Sequence, residues 1–367
     1  MVKIHTIFSI KIDAKMKNRL LYLTLIILLS VLQSCRKSIQ KELTFLTFNV
    51  WQEGTSVPNG LEKISAVIIE TNPDIVCFVE VRNYNNEDWT TKIVGSLRKK
   101  GKKYYRGFIG GDVSFISKYP ISNGKKVFKN EDKGTVVNFD VNVDGNVIVV
   151  SGAHLDYTYY ASNLPRGYNG GDPNWKIMDD GKGNPTPNTI VDSIQAYNLK
   201  STRDEAISSF IDFVKSESKP IVLMGDFNEP SFLDWTENTK NMFSHNGVSI
   251  PWYNTKKLHK EGFIDVFRTF YPNEKNNPGF TWPSYTHEKK STSWTPLADE
   301  RDRIDYILFK GNTIIIKDVS LVGPKESYVF NKLESSNTDK EKFMANEISW
   351  PSDHKGVYAK LLFTFQK

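Results

Sequence analysis

The 367-residue chain is 39% apolar, 25% charged and 13% aromatic, a globular composition long enough for one large domain or two small ones and without the bias of a disordered or fibrous protein. Its formal net charge of +6 is concentrated at one end: residues 1–34 hold Lys3, Lys11, Lys15, Lys17 and Arg19 against Asp13 alone. The remainder is therefore close to neutral, at about +2, which excludes the electrostatic footprint of a dedicated nucleic-acid binder.

Met16-Lys17-Asn18-Arg19 is a short basic stretch, and Leu20 to Leu32 is an apolar run that breaks off at Gln33-Ser34-Cys35. These are the parts of an export signal, and the run falls short of the ~20 apolar residues that span a bilayer. Residues 1–15 read as an upstream start. Leu32-Gln33-Ser34-Cys35 resembles a bacterial lipobox, with Gln33 where a small residue is usual. That resemblance implies lipidation of Cys35 and an exported protein held at a membrane of the cell envelope, on its periplasmic or surface side. A plain cleaved signal or a single N-terminal anchor is the alternative. The expected organisation is an export signal over 1–35, a polar tether over 36–42 and one folded domain over 43–367. With Cys35 in the signal, only Cys77 remains, so neither an intramolecular disulfide nor a cysteine-based zinc site is expected.

From Leu43 strand-like and helix-like segments alternate. Thr44 to Val50 reads as a strand. Leu61, Ile64, Val67 and Ile68 recur at helical spacing over Leu61–Thr71, ahead of a stop at Asn72-Pro73. Ile75 to Val79 is a second strand ending on Glu80, with Cys77 as a small buried hydrophobe. Asp112–Ser117, Val136–Val143 and Val147–Ala153 are further strands, the last two joined through Asp144-Gly145-Asn146 as a hairpin turn. Residues 157–188 are rich in Tyr, Asn, Gly, Pro and Asp and lack periodicity; a loop of that length is functional or disordered. One helix is expected over about Asn188–Ser216, with Ile194, Tyr197, Ala206, Phe210 and Val214 on its apolar face. The buried strand Ile221-Val222-Leu223-Met224 follows, then a mixed stretch to Gly262, and strands over Asp305–Phe309, Ile314–Val322 and Gly356–Phe365. Strands in the majority with helices between them suggest two sheets with helices outside.

Gly225-Asp226-Phe227-Asn228 places a carboxylate and a carboxamide two residues apart after an apolar strand, so both point the same way. An acid that takes a proton beside an amide that holds a water is a hydrolytic pair; the same residues are also ordinary turn chemistry. Other strand ends carry Asn49, Glu80, His154 (in Gly152-Ala153-His154-Leu155-Asp156), and Asp353 and His354 after Ser352, while Arg303-Ile304-Asp305-Tyr306 opens a strand. Each has an everyday reading: Asn49 as a turn former, Glu80 as a solvated charge, His154 as a structural histidine, Arg303 and Asp305 as a cross-strand ion pair. In this order and spacing, however, they resemble the endonuclease/exonuclease/phosphatase superfamily, over about residues 43–365.

The resemblance implies an α+β fold, a four-layer α/β/β/α sandwich of two mixed β-sheets flanked by helices. It implies a hydrolase of phosphoesters, in first place phosphodiesters of nucleic-acid type, dependent on Mg²⁺ or Mn²⁺ and monomeric. Glu80 corresponds to the main metal ligand, Asn49 to a nearby one, and Asp353 is a second candidate beside the metal. Asp226 matches the residue that orients and deprotonates the attacking water, and Asn228 the one that holds water or phosphate. His154 and His354 match two histidines on the phosphate, with Asp305 orienting His354. The alternatives are a phosphomonoesterase acting on a sugar or lipid head group, and a non-catalytic binding lipoprotein that retains the fold.

Met224 before Gly225, and Glu300-Arg301-Asp302-Arg303-Ile304-Asp305, depart from the Trp and the Pro-Ala-Trp-Cys-Asp-Arg segment of inositol polyphosphate phosphatases. The exposed apolar hairpins of secreted sphingomyelinases have no clean counterpart in the sequence. In the 157–188 loop, Tyr157, Tyr159, Tyr160, Tyr168 and Trp175 either stack on a substrate base or sugar or pin the loop down, and Arg166, Asn169, Lys176 and Lys182 are candidates for phosphate contact. Trp282 is a groove wall or core. His245, His259 and His287 lie in polar stretches and are expected to face solvent.

Overall fold

A computed structural model describes Arg19, Tyr22 and residues 38–366, except 131–132, 172–174, 290, 337–339 and 346. The expected export signal and Cys35 lie outside the described residues. Two units separate: residues 1–41 with 364–367, and residues 42–363. In the first, Arg19 and Tyr22 are helical, and the rest of what is described is the start of the first strand and the end of the last. No described helix is long and apolar enough to cross a membrane.

The larger unit is built on two sheets. β1 (Ser38–Asn49), β2 (Ile75–Val79), β3 (Tyr105–Gly107), β4 (Val113–Ser117), β11 (Ile314–Val322), β14 (Phe343–Met344) and β15 (Gly356–Gln366) form a seven-stranded sheet in the order β14-β11-β15-β1-β2-β4-β3. β5 (Ile121–Lys129), β6 (Gly134–Val143), β7 (Asn146–Leu155), β8 (Ile221–Asp226), β9 (Ile264–Asp265) and β10 (Asp305–Lys310) form a six-stranded sheet in the order β5-β6-β7-β8-β10-β9. Both are mixed. Because β1 already begins at Ser38, residues 38–42 are strand rather than tether.

Alternation along the strands decides what each face meets. Leu46, Phe48, Val76 and Phe78 pack with Ile64, Val67 and Ile68 of helix α1 (Gly60–Thr71) and with Trp89, Ile93 and Leu97 of α2 (Trp89–Lys99). Val149, Ala153, Leu155, Ile221, Leu223, Tyr306 and Leu308 pack with Ala206, Ile207, Phe210 and Val214 on the helix Arg203–Val214. The residues of opposite parity, among them Phe45, Thr47, Cys77, Phe115, Phe139 and Met224, are buried between the sheets. Phe115 meets Phe139 edge-on at 5.7 Å, and Cys77 Sγ lies 4.0 Å from the Met224 carbonyl. Helices outside, sheets inside: this is the four-layer α/β sandwich that the sequence suggests.

The Asp144-Gly145 turn has two successive positive φ angles, 53° and 91°, the two-residue hairpin that matches strand twist. The single helix expected over 188–216 is two, α3 (Val191–Asn198) and α4 (Arg203–Val214). Asp156 breaks it by accepting the Thr202 N–H at 3.0 Å, while the buried Arg203 guanidinium reaches back to the carbonyls of Asp156, Thr158 and Tyr159. Neither partner is local in sequence. The stretch before Gly262 contains a further helix, α5 (Tyr253–Lys260), and α6 (Val266–Phe270) follows β9. A small hairpin, β12 (Glu326–Val329) with β13 (Lys332–Ser335), lies apart from the two main sheets and exposes half of Phe330 and of Leu333 among polar neighbours.

Candidate functional site

Register and parity bring the strand-end residues together. In the six-stranded sheet His154 of β7 is paired with Asp226 of β8, and Asp226 with Asp305 of β10. The three side chains thus lie in one row across adjacent strands, on the parity that faces the other sheet. In that other sheet Asn49 of β1 has the same inward parity and pairs with Val79 of β2, one residue before Glu80. Ser352 donates to the Asn49 carbonyl at 2.7 Å, which ties the Asp353-His354 loop to the end of β1.

Two glycine-like conformations make this possible. Gly225 has φ +141°, and a Cβ there would stand 1.8 Å from the Ala153 carbonyl oxygen, so the close β7–β8 approach at the site requires glycine. Glu80 has φ +64°, an uncommon left-handed conformation for a residue with a side chain. It is held from three sides: its carbonyl accepts from Glu53 N, its Oε2 accepts from Gln52 N at 2.8 Å, and Val81 N donates to the Asp112 carbonyl.

Asn49 Nδ2 donates to Glu80 Oε1 at 3.1 Å and to Asp226 Oδ2 at 3.0 Å, and its Oδ1 accepts from Trp51 N at 2.9 Å. Between two carboxylates only the N–H side of an amide can satisfy both, so Asn49 orients Glu80 and Asp226. Asp226 Oδ1 accepts from Asn228 N at 2.9 Å, and Asn228 Nδ2 donates to the Leu155 carbonyl at 3.0 Å. His354 Nδ1 meets Asp305 Oδ2 at 2.9 Å, leaving Nε2 3.7 Å from Asp226 Oδ2. His154 has a similar partner that the sequence did not single out: Asp112 Oδ2 lies 2.5 Å from its Nδ1, and Asp112 in turn meets Arg82 at 3.4 Å. The available signal was an acid opening an apolar strand after Gly110-Gly111. Arg303, by contrast, pairs with Asp234 and Asp265, not with Asp305.

Burial and neighbouring charge perturb these groups strongly. Burial, with Asp305 beside it, raises Asp226 to about 6 against the pull of both histidines. Burial opposes a charge on His154, but Asp112, Asp226 and Glu80 outweigh it and raise its pKa to about 9. His354 is likewise raised, to about 10, by Asp305 and Asp226 in spite of burial. Burial lifts Asp353 to about 7, with His354 opposing and Glu80 and Asp226 adding. The result is two imidazolium ions set among five carboxyl groups, those of Glu80, Asp112, Asp226, Asp305 and Asp353.

The groups open into a cleft of about 530 Å³. Its floor is Glu80, His154, Asp226, Asn228, Asp353 and His354. The ends of the first sheet add Trp51, Gln52, Arg82 and Tyr84, and the far wall is aromatic, from Tyr157, Tyr160, Trp175, Trp282 and Trp294. Asn49 and Asp305 sit directly behind the floor. Trp51, Tyr84 and Trp294 were not legible, being single aromatics in polar stretches.

The 157–188 loop is therefore both things at once: Tyr168 is buried, Tyr160 is buried and still lines the cleft, and Tyr157 and Trp175 face it. Trp282 likewise is 8% exposed and still lines the cleft, so it is core and wall together. Arg166 does not face the cleft. It is buried and bidentate on Asp302, at 2.7 and 3.1 Å. Asn169 accepts from Lys176 N. His259 and His287 are exposed, but His245 is buried and stacked on Trp235 at 3.6 Å, and burial beside Arg166 depresses its pKa to about 2.

For a divalent cation the donor set fits. Glu80 and Asp353 offer hard carboxylate oxygens, which suit Mg²⁺ or Mn²⁺, and Asp353 Oδ1 is buried without a hydrogen-bond partner. Asp226, Asp305 and His354 also offer ligand atoms within 4.8 Å of one another. There, however, the ring nitrogen nearest Asp305 is already engaged by it.

Two sheets packed face to face, with a charged cleft at their strand ends, form an α/β sandwich with a constellation of acids and histidines at its mouth. Residues 46–354 match the endonuclease/exonuclease/phosphatase family, and the chain belongs to that family. Family and fold together indicate an enzyme of phosphoesterase or nuclease type, and such enzymes generally use a divalent metal. An uncharacterized protein of Caenorhabditis elegans is 28% identical over 339 residues, covering 92% of this chain and 97% of its own. Among solved structures, an endonuclease/exonuclease/phosphatase from Beutenbergia cavernae is 18% identical with a TM-score of 0.52, over 88% of this chain and 72% of that one. A humanized TDP2 of D. rerio is 14% identical with a TM-score of 0.48, over 87% and 98% respectively.

Proposed function

We propose that the protein is a divalent-metal-dependent phosphodiesterase in which Asp226 activates the attacking water. The observation that carries this reading is the row His154–Asp226–Asp305 set opposite Asn49 and Glu80 at the mouth between two sheets. Asp226 has the raised pKa of a general base that works near neutrality. Asn49 and Asn228 fix its two oxygens, so the carboxylate is oriented before substrate arrives. His154 and His354, kept protonated by Asp112 and Asp305, present N–H donors and positive charge to the phosphoryl oxygens, where charge builds in the transition state. Glu80 and Asp353 would hold Mg²⁺ or Mn²⁺, which when bound polarises the phosphoryl oxygens as a Lewis acid.

The test is hydrolysis by the purified domain of DNA, RNA, phospholipids, bis(p-nitrophenyl) phosphate and p-nitrophenyl phosphate, with Mg²⁺, Mn²⁺ or EDTA. Metal-dependent turnover of diesters in preference to the monoester is expected. A monoester preference would favour a sugar or lipid-head-group phosphatase, and silence on the whole panel a binding protein. Glu80→Ala should raise the Mg²⁺ concentration for half-maximal activity by about tenfold or more; an unaltered titration would remove Glu80 as a ligand.

The same reading places the enzyme outside the cytoplasm on a lipid anchor at Cys35, supported by the basic, apolar and lipobox-like order of residues 16–35. Cys35→Ser should move the protein from the membrane to the soluble fraction, and persistent membrane association would point to an uncleaved anchor instead.

A further inference from the structure

We propose that Trp175 and Trp294, which meet edge to face, form an L-shaped slot in which a planar ring carried by the phosphoester stacks on one indole beside the edge of the other, and that this slot selects the substrate. The inference rests on the reading of the floor as a phosphate site. Both indoles line the same cleft as His154, Asp226 and His354. They meet edge-on at 5.2 Å and 75°, and Tyr160 backs Trp175 at 5.6 Å and 71°. Tyr160 and Trp282 are buried behind them and account for the packing of the loop. Trp294 does not share that role, being 47% exposed.

That exposure is enforced. The carboxylate of Glu300, itself fully buried, accepts from the backbone N–H of Trp294 and of Thr295 and from the Thr295 hydroxyl, at 2.7–3.0 Å. An indole left half in water gives up apolar burial, yet its backbone is fastened by a desolvated anion. The segment before Trp175 is anchored at Arg166, on Asp302, and at the Tyr168 hydroxyl, which accepts from Leu297 N at 3.1 Å and so ties it to the segment that carries Trp294. The slot is thus pre-organised, its two indoles coming from segments more than a hundred residues apart in sequence.

Its chemistry favours a flat, apolar-faced ring over a sugar. Away from the floor, this wall presents Tyr157, Tyr160, Trp175, Trp282, Trp294 and Ile304. The side chains suited to pairing with hydroxyls, Gln52, Arg82 and Tyr84, belong to the opposite side, at the ends of the first sheet. A flat ring covers an indole face more fully than a puckered sugar does. A nucleobase and a simple aryl group share the ring chemistry the slot takes.

Calorimetric titration separates the possibilities, with Mg²⁺ and with EDTA, using thymidine 5′-phosphate, phenyl phosphate, glucose 6-phosphate and methyl phosphate as probes. The two ring-bearing phosphates should bind wild-type protein about tenfold or more tighter than the other two, the usual worth of one stacked ring. Trp294→Ala and Trp175→Ala should bring them to within about threefold of methyl phosphate, and Trp294→Phe should keep most of the preference. Tighter binding of thymidine 5′-phosphate than of phenyl phosphate would assign the ring to a nucleobase, and equal binding to any aryl group; either supports the slot. If all four bind alike, and His154→Gln with His354→Gln weakens all four, the slot is overturned while the phosphate site stands. Binding that ignores both histidines overturns both.

Discussion

Asp226→Asn separates function from stability, because the two should move in opposite directions. Asparagine keeps the size and one oxygen of the side chain but cannot accept a proton, so turnover should fall by about 10²–10⁴, the usual worth of a positioned general base. The stability effect follows from the carboxyl group's pKa, raised from 3.8 to about 6 by burial and by Asp305. Each unit is worth about 1.4 kcal/mol, so the ionised group costs the fold on the order of 3 kcal/mol at neutral pH. The amide avoids that cost but cannot accept from both Asn49 Nδ2 and Asn228 N; one donor then faces a donor, at about 1–2 kcal/mol. The balance is a variant about 1 kcal/mol more stable than wild type at pH 7.5. The sign is the reverse of the usual salt-bridged aspartate: the gain is absent below about pH 4, grows between about 4 and 6, where the unfolded carboxyl is ionised and the folded one still protonated, and is full above about 6. Denaturant unfolding of the EDTA-treated proteins between pH 4 and 8, alongside turnover with Mg²⁺, measures both. A variant that retains activity, or one whose stability relative to wild type falls as pH rises, refutes the reasoning.

Two further substitutions test the frame around the site. Asp302→Asn strands the buried Arg166 guanidinium and weakens the contacts from the Tyr160 hydroxyl (2.9 Å) and Trp235 Nε1 (3.2 Å), which should cost about 3–5 kcal/mol and lower the melting temperature by roughly 5–10 °C. An unchanged melting temperature would show that the 157–188 loop is not anchored there. Gly225→Ala places a methyl group 1.8 Å from the Ala153 carbonyl at a φ of +141°, so the β7–β8 pairing beside Asp226 must open. Destabilisation of about 4 kcal/mol or more is expected, and a soluble, fully active variant would contradict the strand register.

What the sequence made legible is what depends on local pattern. Ile75–Val79 and Ile314–Val322 have the bounds their apolar runs imply, and the α1 spacing of Leu61, Ile64, Val67 and Ile68 places that helix to within a residue. The inward aim of Asn49 and Asp226 was also contained in the pattern: each continues the parity of the strand it ends, opposite to the Leu46/Phe48 and Ile221/Leu223 faces that meet helices. β5 was missed because Ile121–Lys129 is a mostly exposed edge strand with no apolar alternation to read.

The misreadings of Arg166 and His245 share a cause, burial by tertiary packing that no local pattern announces. Arg166 looks like a phosphate contact in a polar loop, yet its carboxylate, Asp302, is 136 positions on. His245 looks solvated, yet Trp235 and Arg166 enclose it. Among the described residues, three fully buried guanidiniums share a further property. Arg203 holds the carbonyls of Asp156, Thr158 and Tyr159 directly after His154; Arg303 holds Asp234 and Asp265 two residues before Asp305; Arg166 holds Asp302 and with it the wall. A buried arginine keeps its charge at any pH the protein meets, and five fixed donors satisfy backbone and carboxylate groups that a long loop would otherwise leave unpaired. Each therefore trades desolvation for the placement of a segment that carries a site residue. Arg166, through a carboxylate 136 positions away in sequence, thereby anchors the wall on which the proposed ring stacking rests.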